Sequence, residues 1–583
     1  MLHNVFLDRT ELKRVFPFLR WKGSLNKHTF FADTIAGIIV ALILIPQSIA
    51  YAQLAGLPPQ QGLYAAFIAP IIGALFGSSG KLSTGPVAVI SLMTASALSA
   101  LNLTDPAMMV QYAILLAVLV GLFQLLFGLL RLGVIINFIS HPVMLGFTNA
   151  AALIIASSQL PKIFGIRIGN YDHQYEMMYH FLIALPWSFH LLSFVFAMSA
   201  VLFIMVLKKI SPLTPSVLIV MIIAICVSWL TNFESLGGSV VGSIPSGLPQ
   251  LSGISINIAA IPDLASTAVI IAILGFMESI SIAKSLALKS NEKIDTNQEF
   301  IGQGLANIAV ASIQGYPVSG SFSRSAVNYK AGAITGISSV ITGICVLITL
   351  LFFTPLLYHL PQSVLSAIII SSVISLINLD KIKLVYKVIR SDGIIAFVTF
   401  ISTLFFAPHL DKGILAGVLL STAYYIYTRT KPHIGQFTAN RSGKFIELRK
   451  PETKICKYIS IVSFDGSLFF ANAAYLETKM RTILADRHLD TRYIIFDAQG
   501  INFIDSTGIE TIYSLHKELN EIGIHIVYVR IKEDVKAKLK ATEVYSQIKY
   551  SMYESRTDAI GAIYEKAHSE TNEHRCPLLS VIK

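Results

Sequence analysis

Uncharged apolar blocks long enough to cross a bilayer recur along this chain, and they restrict what it can fold into. The block Tyr112–Leu130 (YAILLAVLVGLFQLLFGLL) carries no charged residue. As a helix rising about 1.5 Å per residue it covers roughly 30 Å of hydrocarbon. With no water to pair backbone groups there, helices and closed barrels are the structures that span, and runs of this length and composition are helical. Charged residues are 14% of the 583, against about 25% in a soluble chain, and mean hydropathy is +0.65. The first apolar block begins near Phe30 and many follow, so a cleavable signal peptide does not explain the N-terminus.

The formal net charge of +11 invites a nucleic-acid partner, but the placement of the charges favours a membrane protein with its Lys and Arg held on the cytoplasmic side. Residues 1–29 carry Arg9, Lys13, Arg14, Arg20, Lys22 and Lys27 with few acids, which places that end in the cytoplasm. A membrane region over 30–430 follows. A polar linker with Pro432, Gly435 and Gly443 is expected over 431–455, a soluble domain over 456–567, and a tail over 568–583. Expected spans are 34–53, 60–77, 86–101, 110–130, 140–160, 190–207, 213–231, 264–286, 298–312, 322–330, 334–357, 362–378, 393–408 and 412–428.

Threading about fourteen spans from the inside puts Arg131, Lys208–Lys209, Lys284–Lys293, Lys381–Arg390 and Arg429–Lys431 in the cytoplasm. The stretch Thr231–Pro262 falls outside and has no Lys or Arg. Dropping one early span would invert this agreement, and Lys162 and Arg167 are its exceptions. Cys226 and Cys345 lie in apolar spans, Cys456 and Cys576 in the C-terminal region. None forms a CxxC pair, which predicts no metal site, no cofactor and no disulfide framework.

Two segments depart from ordinary spans. The third starts at Gly85-Pro86 after the polar run Ser78–Thr84, and the tenth starts near Ser321 after Gln314–Gly320. Irregular backbone at membrane depth survives where protein or water covers it. A matched pair of Gly/Pro-interrupted segments in corresponding halves is the sequence pointer to a transporter's binding site. Third and tenth of fourteen is the spacing that two seven-span repeats require. In the C-terminal region, β-type runs Tyr458–Phe464, Tyr493–Phe496 and Ile524–Val529 alternate with helical periodicity over Ala473–Ala485 and Thr507–Ile522. That alternation predicts a small α/β domain with a mainly parallel sheet.

The stretch Pro59–Met93, the span containing Ile45–Ala52, and the runs Gly302–Asn307 and Ser319–Ser325 resemble the sulfate permease (SulP) family of anion transporters. Phe503–Gly508 resembles the loop of STAS domains, relatives of anti-sigma-factor antagonists. The resemblance covers nearly the whole chain in the family's order. It implies two inverted seven-span repeats arranged as core and gate domains, a homodimer in the cell (inner) membrane, and elevator-like movement. No nucleophile–base set or phosphate-binding loop appears, so an enzyme is not expected.

Helix N-termini suit a small inorganic anion, since unpaired N–H groups and about +0.5 of a charge bind it without a permanent cation. The starts at Pro86–Val87 and Phe322–Ser323 are expected to face each other, with hydroxyls of Ser321 and Ser323 as added donors. Pro86 fits a first helical turn, and Gly85 and Gly320 bring backbone close to the ligand. The competing reading gives these residues only tight helix packing. Gln47 lines the site with an amide or bonds a neighbouring helix. Arg324 raises the local potential, pairs with Glu278, or snorkels.

Glu278 is a carboxylate inside an apolar span, and one that changes protonation as access alternates couples anion entry to a proton. Resembling transporters with an acid at this place are often proton symporters, and some have a sodium-linked acid nearby. The alternative is a structural salt bridge to Arg324 or Lys284. In the STAS loop, Asp505, Ser506 and Thr507 form either a helix cap or a phosphorylated regulatory site read by a cytoplasmic protein. Sulfate with a proton is the favoured cargo. Sodium-coupled bicarbonate, C4-dicarboxylates, a uracil or purine permease and a gated anion channel stay open.

Overall fold

The computed structural model describes residues 16–101, 105–133, 139–169, 171, 173–211, 214–247, 260–448, 454–485, 490–569 and 576–582. Arg9, Lys13 and Arg14 therefore lie outside the described residues. The chain forms two compact units, residues 1–421 and 422–583.

In the first unit the helices are α1 (Lys27–Leu54), α2 (Pro59–Phe76), α3 (Ala88–Ser99), α4 (Pro106–Leu129) and α5 (His141–Ile163). Then come α6 (Gln174–Ser188), α7 (Leu191–Ile210), α8 (Ser216–Leu230), α9 (Ile261–Ser290) and α10 (Thr296–Ser312). The series goes on with α11 (Phe322–Lys330), α12 (Ile337–Ile348), α13 (Gln362–Val373), α14 (Leu379–Val388) and α15 (Arg390–Phe406), and ends with α16 (Leu410–Thr430), whose last residues belong to the second unit. Each expected span overlaps one of these helices. Among the described residues seven helical stretches are long and apolar enough to cross a membrane unaided. The sequence reading missed α6 and α14, which lie outside the apolar blocks; α14 buries none of its side chains.

Local chemistry sets the helix starts. Asn26 accepts the Thr29 N–H at 2.8 Å to cap α1. Asp105 caps α4 ahead of Pro106, and Asp295 accepts from Asn297 and Gln298 N–H to cap α10. Side-chain oxygens here replace the missing intrahelical acceptors. Glycine lets α4 and α10 pack backbone to backbone, since a Cβ on Gly121 would lie 2.8 Å from the Gly304 carbonyl oxygen.

The helices of the third and tenth spans are short, with 12 residues in α3 and 9 in α11. Each follows a two-residue strand, β1 (Thr84–Gly85) and β2 (Ser319–Gly320). The strands pair antiparallel, Thr84 opposite Gly320 and Gly85 opposite Ser319.

The second unit, after the end of α16, is a six-stranded sheet with helices on its faces. Its strands are β3 (His433–Ala439), β4 (Phe445–Glu447), β5 (Ile459–Asp465), β6 (Tyr493–Asp497), β7 (His525–Val529) and β8 (Met552–Tyr553). The order is β4-β3-β5-β6-β7-β8. Pairing is parallel from β5 to β8, as expected, and antiparallel among β4, β3 and β5. The helices are α17 (Ala473–Ala485), α18 (Ser506–Glu521), α19 (Glu533–Lys540), α20 (Val544–Ile548), α21 (Arg556–His568) and α22 (Leu579–Ile582).

Strand alternation feeds two cores. Ile494 and Phe496 join one with Leu515, while Ile495 joins the other with Ile560 and Ile563. The segment 431–455, expected as a polar linker, instead supplies β3 and β4. Arg556 explains the attachment: its guanidinium lies 4.3 Å from the Phe437 ring centre and 5.2 Å from that of Phe445, a cation–π clamp on the hairpin.

Candidate functional site

The β1–β2 pairing brings the starts of α3 and α11 together. The pairing joins the residues just before the two helices, at the two interruptions marked in the sequence. The two helix starts differ. Val87, the cap residue of α3, supplies no side-chain cap. Ser321 caps α11, accepting from the Arg324 N–H at 3.5 Å, and it lies 3.4 Å from Ser323 Oγ. The Ser321 hydroxyl is thus engaged within its own helix, while Ser323 and Phe322 are exposed.

Pro86 sits outside the first turn. Helix α3 begins at Ala88, and Pro86 precedes the cap residue. Its contribution is its carbonyl, which accepts from Arg324 Nη1 at 2.9 Å. The glycines also differ from expectation. A Cβ on Gly320 would sit 2.8 Å from both Ser279 Oγ and Leu82 Cδ1, and one on Gly85 would sit 3.3 Å from Arg324 Nη2. Their close approaches are to protein atoms.

Arg324 is fully buried and ties three segments together. Nη1 donates to Gln47 Oε1 at 3.3 Å as well as to Pro86, and Nε donates to Ser83 Oγ at 3.4 Å. Nη2 has no partner among the described residues. Arg324 neither pairs with Glu278 nor snorkels. An uncompensated buried cation is costly, and a donor left unmade is a further cost. An anion would offset both. Gln47 is buried and serves as acceptor for this guanidinium.

Glu278, on α9, is half-buried and makes no ion pair or hydrogen bond among the described residues, to Lys284 included. Its neighbour Ser279 clips α9 to β2: Ser279 Oγ donates to Gly275 O at 2.9 Å and accepts from the Gly320 N–H at 2.8 Å.

Sequence reasoning missed the buried supports. Asp33 of α1 accepts from Ile334 N at 2.7 Å and Thr335 Oγ1 at 2.5 Å, just beyond α11. Glu299 of α10 accepts from Ser78 N at 2.8 Å and Ser79 N at 3.1 Å, just before β1. Gln303 donates to Thr84 Oγ1 at 2.9 Å, and Asn307 accepts from Val318 N at 2.8 Å. Lys81 pairs with Glu292. A polar residue inside a span was the available signal for Asp33, Glu299, Gln303 and Asn307.

The model of the family described as sulfate permease matches residues 30–399, and that of the STAS domain matches 450–559. The chain belongs to the sulfate permease family. Among curated relatives, sulfate transporter 4.1, chloroplastic, of Arabidopsis thaliana is 34% identical over 89% of this chain and 78% of its own length. Sulfate transporter 3.1 of the same plant is 30% identical, covering 91% and 83%. The structure of the murine solute carrier 26 family member A9 anion transporter in the inward-facing state has the same fold. It is 22% identical with TM-score 0.89, over 98% of this chain and 96% of that one. The transmembrane domain of the cyanobacterial bicarbonate transporter BicA, 21% identical with TM-score 0.59, covers 68% of this chain and 98% of its own. The protein is therefore a multi-pass membrane transporter of anions with a STAS domain, and is not an enzyme.

In the STAS domain, Asp505 caps α18. It accepts from Gly508 N at 2.8 Å and, through its other oxygen, from Phe470 N at 3.0 Å. Ser506 and Thr507 are exposed on the first turn. A second carboxylate there is fully buried: Asp497 accepts from Arg556 Nε at 2.6 Å and Arg530 Nε at 3.1 Å.

Proposed function

We propose that this transporter carries sulfate by proton symport through elevator-type alternating access. The observation that carries this reading is Arg324. Its Nη2 has no partner among the described residues, its Nη1 bonds the Pro86 carbonyl just before α3, and the start of α3 lacks a side-chain cap. An oxyanion there would accept hydrogen bonds from Nη2, from backbone N–H groups of α3 and from the exposed Ser323 hydroxyl. The Arabidopsis relatives named sulfate transporters support sulfate over other oxyanions.

Glu278 supplies the coupling proton. It is an acid in a spanning helix beside the Ser279 clip, with no ion pair among the described residues to fix its charge. In this reading, protonation and anion binding together favour the movement of the core, and release reverses both. The distribution of Lys and Arg supports cytoplasmic termini in a cell membrane, and in this reading the protein acts as a homodimer. The exposed Ser506 and Thr507 present a phosphorylation site to a cytoplasmic regulator.

Uptake of labelled sulfate into proteoliposomes, with and without an inward proton gradient, tests this, with bicarbonate and fumarate as competitors. Gradient-driven sulfate uptake is expected. Sodium-dependent bicarbonate uptake or dicarboxylate uptake without sulfate uptake would replace the cargo. Current that follows the anion gradient alone would indicate a channel.

A further inference from the structure

Two of the chain's four cysteines and a histidine converge on one flank of the STAS sheet. Cys456 lies just before β5, His568 ends α21, and Cys576 precedes α22. One ligand atom from each lies within 4.8 Å of the others. Both cysteines are buried and His568 is half-buried.

The distances suit coordination. Cys456 Sγ lies 3.5 Å from His568 Nε2. Bonds of about 2.3 Å to sulfur and about 2.0–2.1 Å to nitrogen, at a tetrahedral angle, place those two atoms about 3.5 Å apart. His568 Nδ1 is 2.8 Å from the Tyr564 carbonyl oxygen. A carbonyl only accepts, so in the neutral ring Nδ1 carries the proton and Nε2 presents its lone pair to the sulfur. Metal-ligating histidines are oriented by this outer hydrogen bond.

We propose that Cys456, His568 and Cys576 form a zinc site that fastens the C-terminal segment to the STAS sheet. Two sulfurs and an imidazole select zinc over the oxygen-seeking cations. Two thiolates balance the charge of the ion, so the buried site is neutral. The segment after Cys576 lies where such a staple would hold it: Leu578 is buried, and Ser580 Oγ donates to the Asn440 carbonyl at 2.9 Å. Three protein ligands leave a fourth position for water or another donor. The cysteine spacing gave no sign of this, because Cys456 and His568 are 112 residues apart in sequence.

Metal content of the full-length protein purified in detergent tests the proposal. Zinc is expected at a ratio near one per chain. Cys456→Ser and Cys576→Ser should each lower zinc affinity by more than the roughly 10–100-fold cost of losing an outer-shell partner, so that zinc is lost on dialysis against a chelator that leaves the unmutated protein loaded. A Cys226→Ser, Cys345→Ser double variant should keep it. Cobalt(II) exchanged into the unmutated protein gives a second readout independent of variant folding: thiolate-to-cobalt charge transfer with tetrahedral d–d bands. Equal zinc in Cys456→Ser and unmutated protein would overturn the site. So would zinc-free protein whose Cys456 and Cys576 are recovered as a disulfide, or an octahedral cobalt spectrum.

Discussion

Replacing Arg324 by methionine separates what the guanidinium does for the fold from what it does for the anion. Nε and Nη1 are committed to Ser83, Gln47 and Pro86, and Nη2 has no partner among the described residues. Methionine keeps much of the volume and removes the charge. The buried Gln47 Oε1 and Pro86 carbonyl lose their donor, which costs about 1–3 kcal/mol each in stability. A charge-assisted hydrogen bond from Nη2 to a bound oxyanion is worth about 1.5–3 kcal/mol, or about 10–160-fold in dissociation constant. Thermal unfolding of the detergent-purified protein at graded sulfate reads both quantities. The expected result is a lower baseline Tm together with a loss of the sulfate-dependent rise, and uptake in proteoliposomes falling in step. Arg324→Lys keeps the charge, but one ammonium cannot serve the fork's three acceptor directions, so it should fall between. If Arg324→Met folds and its sulfate affinity stays within about twofold of the unmutated protein, the anion does not use this guanidinium.

Glu278→Gln should abolish stimulation of sulfate uptake by a proton gradient while sulfate–sulfate exchange persists; retained stimulation would remove the coupling role. Gly320→Ala places a Cβ 2.8 Å from Ser279 Oγ and Leu82 Cδ1, which parts β2 from α9 and should reduce uptake by at least about tenfold, measured beside surface expression. Asp497→Asn leaves Arg530 and Arg556 without their buried carboxylate. Because the Arg530 side chain is 31% exposed, the loss should lie near the lower end of about 3–5 kcal/mol, seen as faster hydrogen exchange across 422–583. Ser506→Glu adds a charge to the first turn of α18 worth about 0.3–1 kcal/mol, so the Tm should barely move and any change in uptake would come through a partner.

The apolar blocks made the spans legible, because bilayer thickness fixes a length that composition alone reveals. The breaks at Gly85-Pro86 and Ser319–Ser321 marked the half-helices for a similar reason: glycine and proline change the backbone wherever they stand. The role of Pro86 was not legible, since a start two residues later moves it out of the first helical turn and leaves its carbonyl to accept from Arg324. Asp33 and Glu299 were visible as acids in or beside apolar spans, but their partners lie about 300 and 220 residues away in sequence, and only the fold supplies that register. The β3–β4 hairpin was read as linker because Pro432, Gly435 and Gly443 are loop-forming residues, and its attachment depends on Arg556, far downstream.

The carboxylate clamps cross the chain's midpoint in both directions. Asp33, from the first half, holds the end of α11 in the second, and Glu299, from the second, holds the approach to α3 in the first. Neither half therefore contains a finished half-helix mount. A gene cut within the Thr231–Pro262 connection would encode two fragments that are inert when expressed alone and active when expressed together. Charge-removing changes at Asp33 and Glu299 should each weaken that fragment complementation far more than they weaken the intact chain, where covalent linkage keeps the two mounts at high effective concentration.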